Sequence, residues 1–262
     1  MRHRLTSSIL ALLIVLAFSS VLFAQTTESR AALAESAVST PDLHGVWKLQ
    51  LTAALLKNDA SALAFSKDEP PMQPWAEAKY KAYRPTFGPN ATSVDSDDPT
   101  ATMSCLPPGI PRIYLIPFPM EIIQIPGRVI MLFEYDHFVR QIYTDGRDHP
   151  KDLSPTWMGG SIGRWEGDTL IVDTIGFNGK TSLDRVGHPQ SGALHLVERI
   201  RRVDHDTLEH DLTFDDPKAY TKPWTAQVIY ELKPTWNIME YSCEDNATFL
   251  EFQRKAAKGP SK

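Results

Sequence analysis

The chain has 262 residues, 27 of them basic and 32 acidic, for a formal charge of −5. So mild an acidic balance leaves no electrostatic footprint for nucleic acid or anionic lipid, and the length fits one domain, because barrels and sandwiches often reach this size undivided. The only cysteines, Cys105 and Cys243, are spaced too far apart for a CxxC redox pair or a zinc knuckle.

Residues 1–24 read as a secretory signal peptide: Arg2 and Arg4 precede an apolar run from Ile9 to Ala24, with a cut expected after Ala24. An uncleaved anchor is the alternative, but the run is shorter than the ~20 residues a membrane span needs. No later segment is apolar enough to cross. The expectation is a periplasmic or secreted protein with no stable membrane insertion once the signal is cut. In that oxidising setting Cys105 and Cys243 are expected to form a disulfide.

Residues 25–41 form a polar, Ala/Ser/Thr-rich linker, and a single β-barrel-like domain is expected over residues 42–262. It opens on Gly45-Val46-Trp47, a short β-like run. From Glu69 to Pro126 there are 12 prolines. Proline removes a ladder donor, so most of this stretch is excluded from central strands. It reads as a packed cover (69–126) carrying one short helix at Pro74 to Tyr83, where Pro74 loses nothing at the first helical position.

Beyond Gly127 the pattern changes to strands with turn punctuation: Val129 to Tyr135, Phe138 to Thr144, Ser161 to Trp165, Thr169 to Phe177, His195 to Val203, Thr207 to Phe214 and Thr225 to Leu232, with a last piece near Met239 to Cys243. Two stretches echo each other, "GRWEGDTLIVDT" (163–174) and "RRVDHDTLEHDL" (201–212). Each sets an Arg-containing strand before a short acidic turn and restarts on Asp-Thr-Leu, so each predicts a hairpin. The fold class expected is all-β: a single antiparallel up-and-down barrel or strongly curved sheet.

Period-two alternation assigns faces. Glu198 lies with Leu196 and Ile200, His210 with Leu208, Leu212 and Phe214, Asp173 with Ile171 and Ile175, and Glu134 with Ile130 and Leu132. Carboxylates on apolar faces are costly unless paired or protonated. Either Glu198, Asp173 and Glu134 pair with arginines from among Arg128, Arg140, Arg164 and Arg202, or they line a polar cavity with perturbed titration. Glu198, Asp173, His188 and Arg140 are therefore the candidate catalytic groups, and Trp157, Trp165, Tyr143, Gln190, His210 and Glu134 the candidate ligand contacts.

Gly159-Gly160-Ser161-Ile162-Gly163 matches the G-x-S-x-G nucleophile elbow, but the hairpin sequence after it cannot supply the helix that elbow needs. The histidines show no metal-ligand spacing, "GGSIG" lacks the features of a phosphate loop, and no metal or cofactor is expected. Two polar loops, "TDGRDHPKD" (144–152) and "LDRVGHPQS" (183–191), are best placed to deliver functional groups.

"CLPPGIPR", "RQIYTDGRDHPKD", "PTWMGGSIGRWEGDTLIVDTIGFN", "GHPQSGALHLVERIRRVD" and "DDPKAYTKPW" together resemble a large family of exported bacterial proteins that has no established activity. The resemblance covers about two thirds of the mature chain and implies kinship without chemistry. Three departures stand out. The chain has Gly160 where that pattern has Tyr, Ser182 where it has Trp, and Gln190 where it has His. These imply either an altered activity or a widened pocket. Gly45-Val46-Trp47 is also similar to the Gly-x-Trp of lipocalins, which implies a lipocalin-like barrel of the size that holds one small ligand. The leading functional expectation is an exported protein binding a small, partly apolar molecule in a polar-lined barrel cavity. The alternatives are an acid/base enzyme of the same fold (hydrolase, isomerase or lyase) and an envelope interaction protein.

Overall fold

Alternation decides most of the chain. In the segment His195–Arg202 the even positions Leu196, Glu198 and Ile200 are buried, and in Thr207–Asp215 so are Leu208, His210, Leu212 and Phe214. The computed structural model describes residues 41–50, 63–85, 97–98 and 105–245, all within one compact unit spanning 41–262. The expected signal peptide and most of the linker lie outside the described residues.

Nine strands close into a barrel in chain order: β1 Gly45–Leu49, β2 Met120–Ile125, β3 Arg128–Phe133, β4 Val139–Tyr143, β5 Gly160–Glu166, β6 Thr169–Ile175, β7 His195–Arg202, β8 Thr207–Asp215 and β9 Trp224–Leu232. β9 pairs with β1 to complete the ring. The two echoing stretches form the β5–β6 and β7–β8 hairpins, in the roles expected of them.

The purely antiparallel up-and-down expectation is corrected at one joint. β4 and β5 run parallel, with Ile142 opposite Ser161 and Tyr143 opposite Ile162. Directions cannot alternate all the way round a ring with an odd number of strands, so nine strands require a parallel pair. A parallel pair in turn needs a long crossover. Residues 144–159 provide it, and "TDGRDHPKD" is therefore part of a crossover strap, not a hairpin turn.

Two further corrections concern the ends of the pattern. Met120–Ile125, inside the proline-rich stretch, is a full strand laddered to both β1 and β3. Pro119 and Pro126 bracket it, so none of its donors is lost. Met239 to Cys243 is not a strand: β9 already pairs with β8 on one side and β1 on the other, which leaves no edge to extend. Tyr241 instead packs on Phe118 and Tyr135, with ring centroids 4.3 and 5.1 Å apart.

The proline-rich stretch has two jobs. Its helix α1, Pro74–Ala82, rests on the loop after β8: Gln73 N–H donates to the Ala219 carbonyl at 2.7 Å and the Trp75 indole N–H to that of Lys218 at 2.6 Å. Its later part, Ile110 to Ile116, is wholly buried and plugs the barrel, with a 3₁₀ turn at Arg112–Leu115. Gly109 makes that entry possible. A Cβ there would come within 2.6 Å of the Trp157 carbonyl oxygen, the acceptor for Ile110 N–H at 3.1 Å. A disulfide joins Cys105, at the start of the plug, to Cys243. Trp47 is fully buried, its indole N–H donating to the Leu43 carbonyl at 3.0 Å and its ring facing Arg202 at 5.3 Å.

Candidate functional site

Three polar clusters emerge, in three different places. The first lies inside the barrel. β7 directs Glu198 inward, and β4 directs Arg140 to meet it through a fork of two bonds, Nη1 to Oε1 at 3.0 Å and Nη2 to Oε2 at 2.5 Å. Tyr114 from the plug donates to Glu198 Oε1 at 2.7 Å, and His210 Nε2 lies 2.9 Å from the same oxygen. Arg140 also donates to the Ser161 and Thr174 hydroxyls at 3.0 and 2.8 Å and to the Tyr114 hydroxyl. Burial pushes the Glu198 carboxyl up, but Arg140 and the His210 hydrogen bond outweigh it and hold it down to about 2. Burial drives the Tyr114 and Tyr230 phenols well above their ordinary range. A fully buried, bidentate, multiply bonded pair is a structural solution to two charges in a low-dielectric interior. The members of the cluster bond to one another, and the plug supplies one of them, Tyr114.

The second cluster is on the barrel's outer face. The partners Ser161, Thr174 and Glu198 share the interior side, so Asp173, one residue away from Thr174, points out. The expectation that Asp173 faces inward is therefore corrected. It holds the crossover in place: His149 Nε2 is 2.7 Å from Oδ1, and His195 Nε2 of β7 is 2.7 Å from Oδ2. Partial burial pushes the Asp173 carboxyl up, and hydrogen bonds from His195 and His149 outweigh it, leaving a net lowering. Among the described residues no group of His, Cys, Asp and Glu is arranged to hold a metal ion.

The third cluster sits where α1 meets the loop between β6 and β7. Asp184 is fully buried, and its Oδ1 accepts from the backbone N–H groups of Val186, Gly187 and His188 at 3.2, 3.0 and 3.1 Å. Its Oδ2 faces His188 Nδ1 at 2.5 Å. The turn thus locks the carboxylate, and the carboxylate orients the imidazole through Nδ1. Nε2 is buried with no hydrogen-bond partner among the described residues, as is Gln190 Oε1 two residues on. Tyr80 of α1 stacks on the imidazole with centroids 4.4 Å apart and planes at 12°. Arg112 backs the loop, donating to the Ser182 hydroxyl at 2.7 Å and to the Asp184 carbonyl, and pairing with Asp98 at 2.6 Å.

Beside this dyad opens a cleft of about 500 Å³, lined by Lys79, Ala82 and Tyr83 of the cover, Asp97, Asp98 and Leu106, and Lys180 to Ser182, Gly187 and Pro189 of the loop. Burial pushes the Tyr83 phenol up to about 12.

The structure brings Glu198, Arg140 and His210 together and leaves the other sequence candidates apart from them. His188 and Gln190 belong to the loop cluster. Tyr143 is outside the barrel between Arg128 and Arg147, whose guanidinium carbons lie 5.0 and 3.9 Å from its ring. Trp165 shares the interior face with Leu170 and packs against the core. Trp157 is half-buried at the end of the crossover beside the plug. Glu134 has left the β3 ladder and accepts from Met239 N–H at 3.0 Å. The pairings of Asp184 with His188 and of Tyr114 with Glu198 were missed. An Asp three residues before Gly-His-Pro, where its carboxylate can cap the turn, is the signal for the first. No signal marks the second, because an irregular segment has no face periodicity. No protein-family model matches the chain, and neither does any curated protein.

Proposed function

We propose that the chain is an exported protein that binds a small, partly apolar molecule in the cleft between α1 and the loop following β6. The observation that carries this reading is a cleft of about 500 Å³ lined in part by Gly187 and Pro189, the residues on either side of His188. The His188 imidazole between them is fixed by Asp184, and its Nε2 is buried with no partner among the described residues, which is uncommon and costly. A concave cleft that offers both apolar and polar groups is a usual place for a small molecule. The site is on the outside of the closed barrel, because the plug fills the interior around Glu198.

The disulfide supports the exported reading. The likeness to the exported bacterial family supports the location, since two of its three departures, Ser182 and Gln190, fall at the cleft or next to His188. The Trp47 burial supports the lipocalin likeness of the first strand. The test is native mass spectrometry of the protein from its own source, alongside Ala82→Trp, which fills the cleft from an exposed helix end. A bound mass retained by the wild type and absent from an equally stable A82W is the expected result; an unchanged adduct would place the ligand elsewhere.

The dyad also favours a second reading, acid/base catalysis on the bound molecule. A carboxylate-oriented imidazole with a free Nε2 is the arrangement of a general base. His188→Gln would then lower turnover by about 10²–10⁴-fold while the molecule still binds.

A further inference from the structure

We infer that the molecule taken up in this cleft is a small organic anion, held by Lys79 and Lys180 at the rim with its apolar part against Tyr83, Leu106 and Pro189. This rests on the binding reading above and adds the charge class of the ligand.

The argument is one of charge accounting across the lining. Both acidic residues of the cleft are already engaged. Asp97 takes a fork from Arg84, with Nη2 to Oδ1 at 2.9 Å and Nε to Oδ2 at 3.2 Å, and Asp98 is buried against Arg112 at 2.6 Å. Neither arginine is among the lining residues, so each acid is neutralised by a group outside the lining. The two lining lysines are exposed, and neither ammonium group has an ion-pair partner among the described residues. The positive field is local, because the whole chain is acidic at −5. Low-dielectric walls focus such a field on whatever enters.

The remaining lining fits the rest of such a molecule. Ser182 and Thr181 are hydroxyl-bearing, while Leu106, Ala82, Pro189 and the Tyr83 ring are apolar. A carboxylate on a short apolar body meets both halves. Inorganic phosphate would use only the lysines.

The test uses the full mature chain and two matched probes, 3-phenylpropionate and its neutral amide, followed by backbone amide NMR shifts. The expected result is that the acid perturbs residues 79–83 and 180–190, binds at least ten times more tightly than the amide, and weakens with added salt. Lys79→Met/Lys180→Met should remove that preference, while the control Lys218→Met keeps it. Equal binding of acid and amide would overturn the anion inference and leave the cleft reading standing. Shifts in neither titration would overturn both.

Discussion

Glu198 carries its charge inside the barrel because Arg140 reaches it with two nitrogens and three other side chains complete the shell. Removing one member of such a pair strands the other, so Glu198→Gln should lower the unfolding free energy at neutral pH by on the order of 3 kcal/mol. The pH dependence follows from the sign of the shift. The folded carboxyl titrates at about 2, below its ordinary range, so its stabilising contribution is full above about pH 4.5 and is lost as pH falls toward 2. Urea titrations at pH 7 and pH 3 should therefore show the gap between wild type and E198Q narrowing in acid; a constant gap would mean that Glu198 is not ionised in the folded state. The position of Glu198 was legible because Leu196 and Ile200 flank it on one face, and Arg140 was one of four arginines considered. Asp173 was not legible: "TLIVDTI" is apolar on both sides, so alternation cannot choose between them. The outer side is apolar because the crossover covers it, leaving Ile171 only 3% exposed.

The elements least visible in the sequence are those that cross or plug. The β5–β6 and β7–β8 hairpins follow from alternation and turn chemistry, both local properties. The parallel β4–β5 joint follows from the strand count, and that depended on recognising Met120–Ile125 as a strand between prolines. Asp173 fastens the strap that this joint requires. Asp173→Asn removes the charge that His149 and His195 share, so amide exchange over residues 145–155 should quicken while exchange in β7 and β8 stays near wild type; unchanged protection of the strap would show that it is held without this charge. The wild-type strap should loosen in the same way in acid, because the Asp173 carboxyl sits below its ordinary range and its contribution disappears as pH falls through that lowered value. The docking of α1 has a different weak point. Gly187 has φ +103°, and a Cβ there would lie 2.2 Å from the Tyr83 ring. Gly187→Ala should therefore push the helix away, raising exchange over residues 73–83 and weakening probe binding in the cleft, with a stability loss of about 1–3 kcal/mol from the strained backbone.

At the scale of the whole molecule, chain order and burial tie the proline-rich segment into the barrel in two ways. Tyr114 bonds into the Arg140–Glu198 centre, and Cys105 is linked to Cys243 across a separation of 138 residues. In the chain-entropy model a loop that long stabilises by up to about 5 kcal/mol, and measured values for removing a native disulfide run about 2–5 kcal/mol. Replacing both cysteines by serine should lower stability within that range. The plug contributes buried side chains, including Ile113, Tyr114 and Leu115, to the same core as eight of the nine strands, so it cannot leave without exposing the interior charges. The double variant should therefore still unfold in one step, with far-ultraviolet circular dichroism and tryptophan fluorescence giving coincident curves at a lower midpoint. Two separated transitions, the first reported by fluorescence alone, would instead make the plug an independent cover held to a self-sufficient barrel by its disulfide.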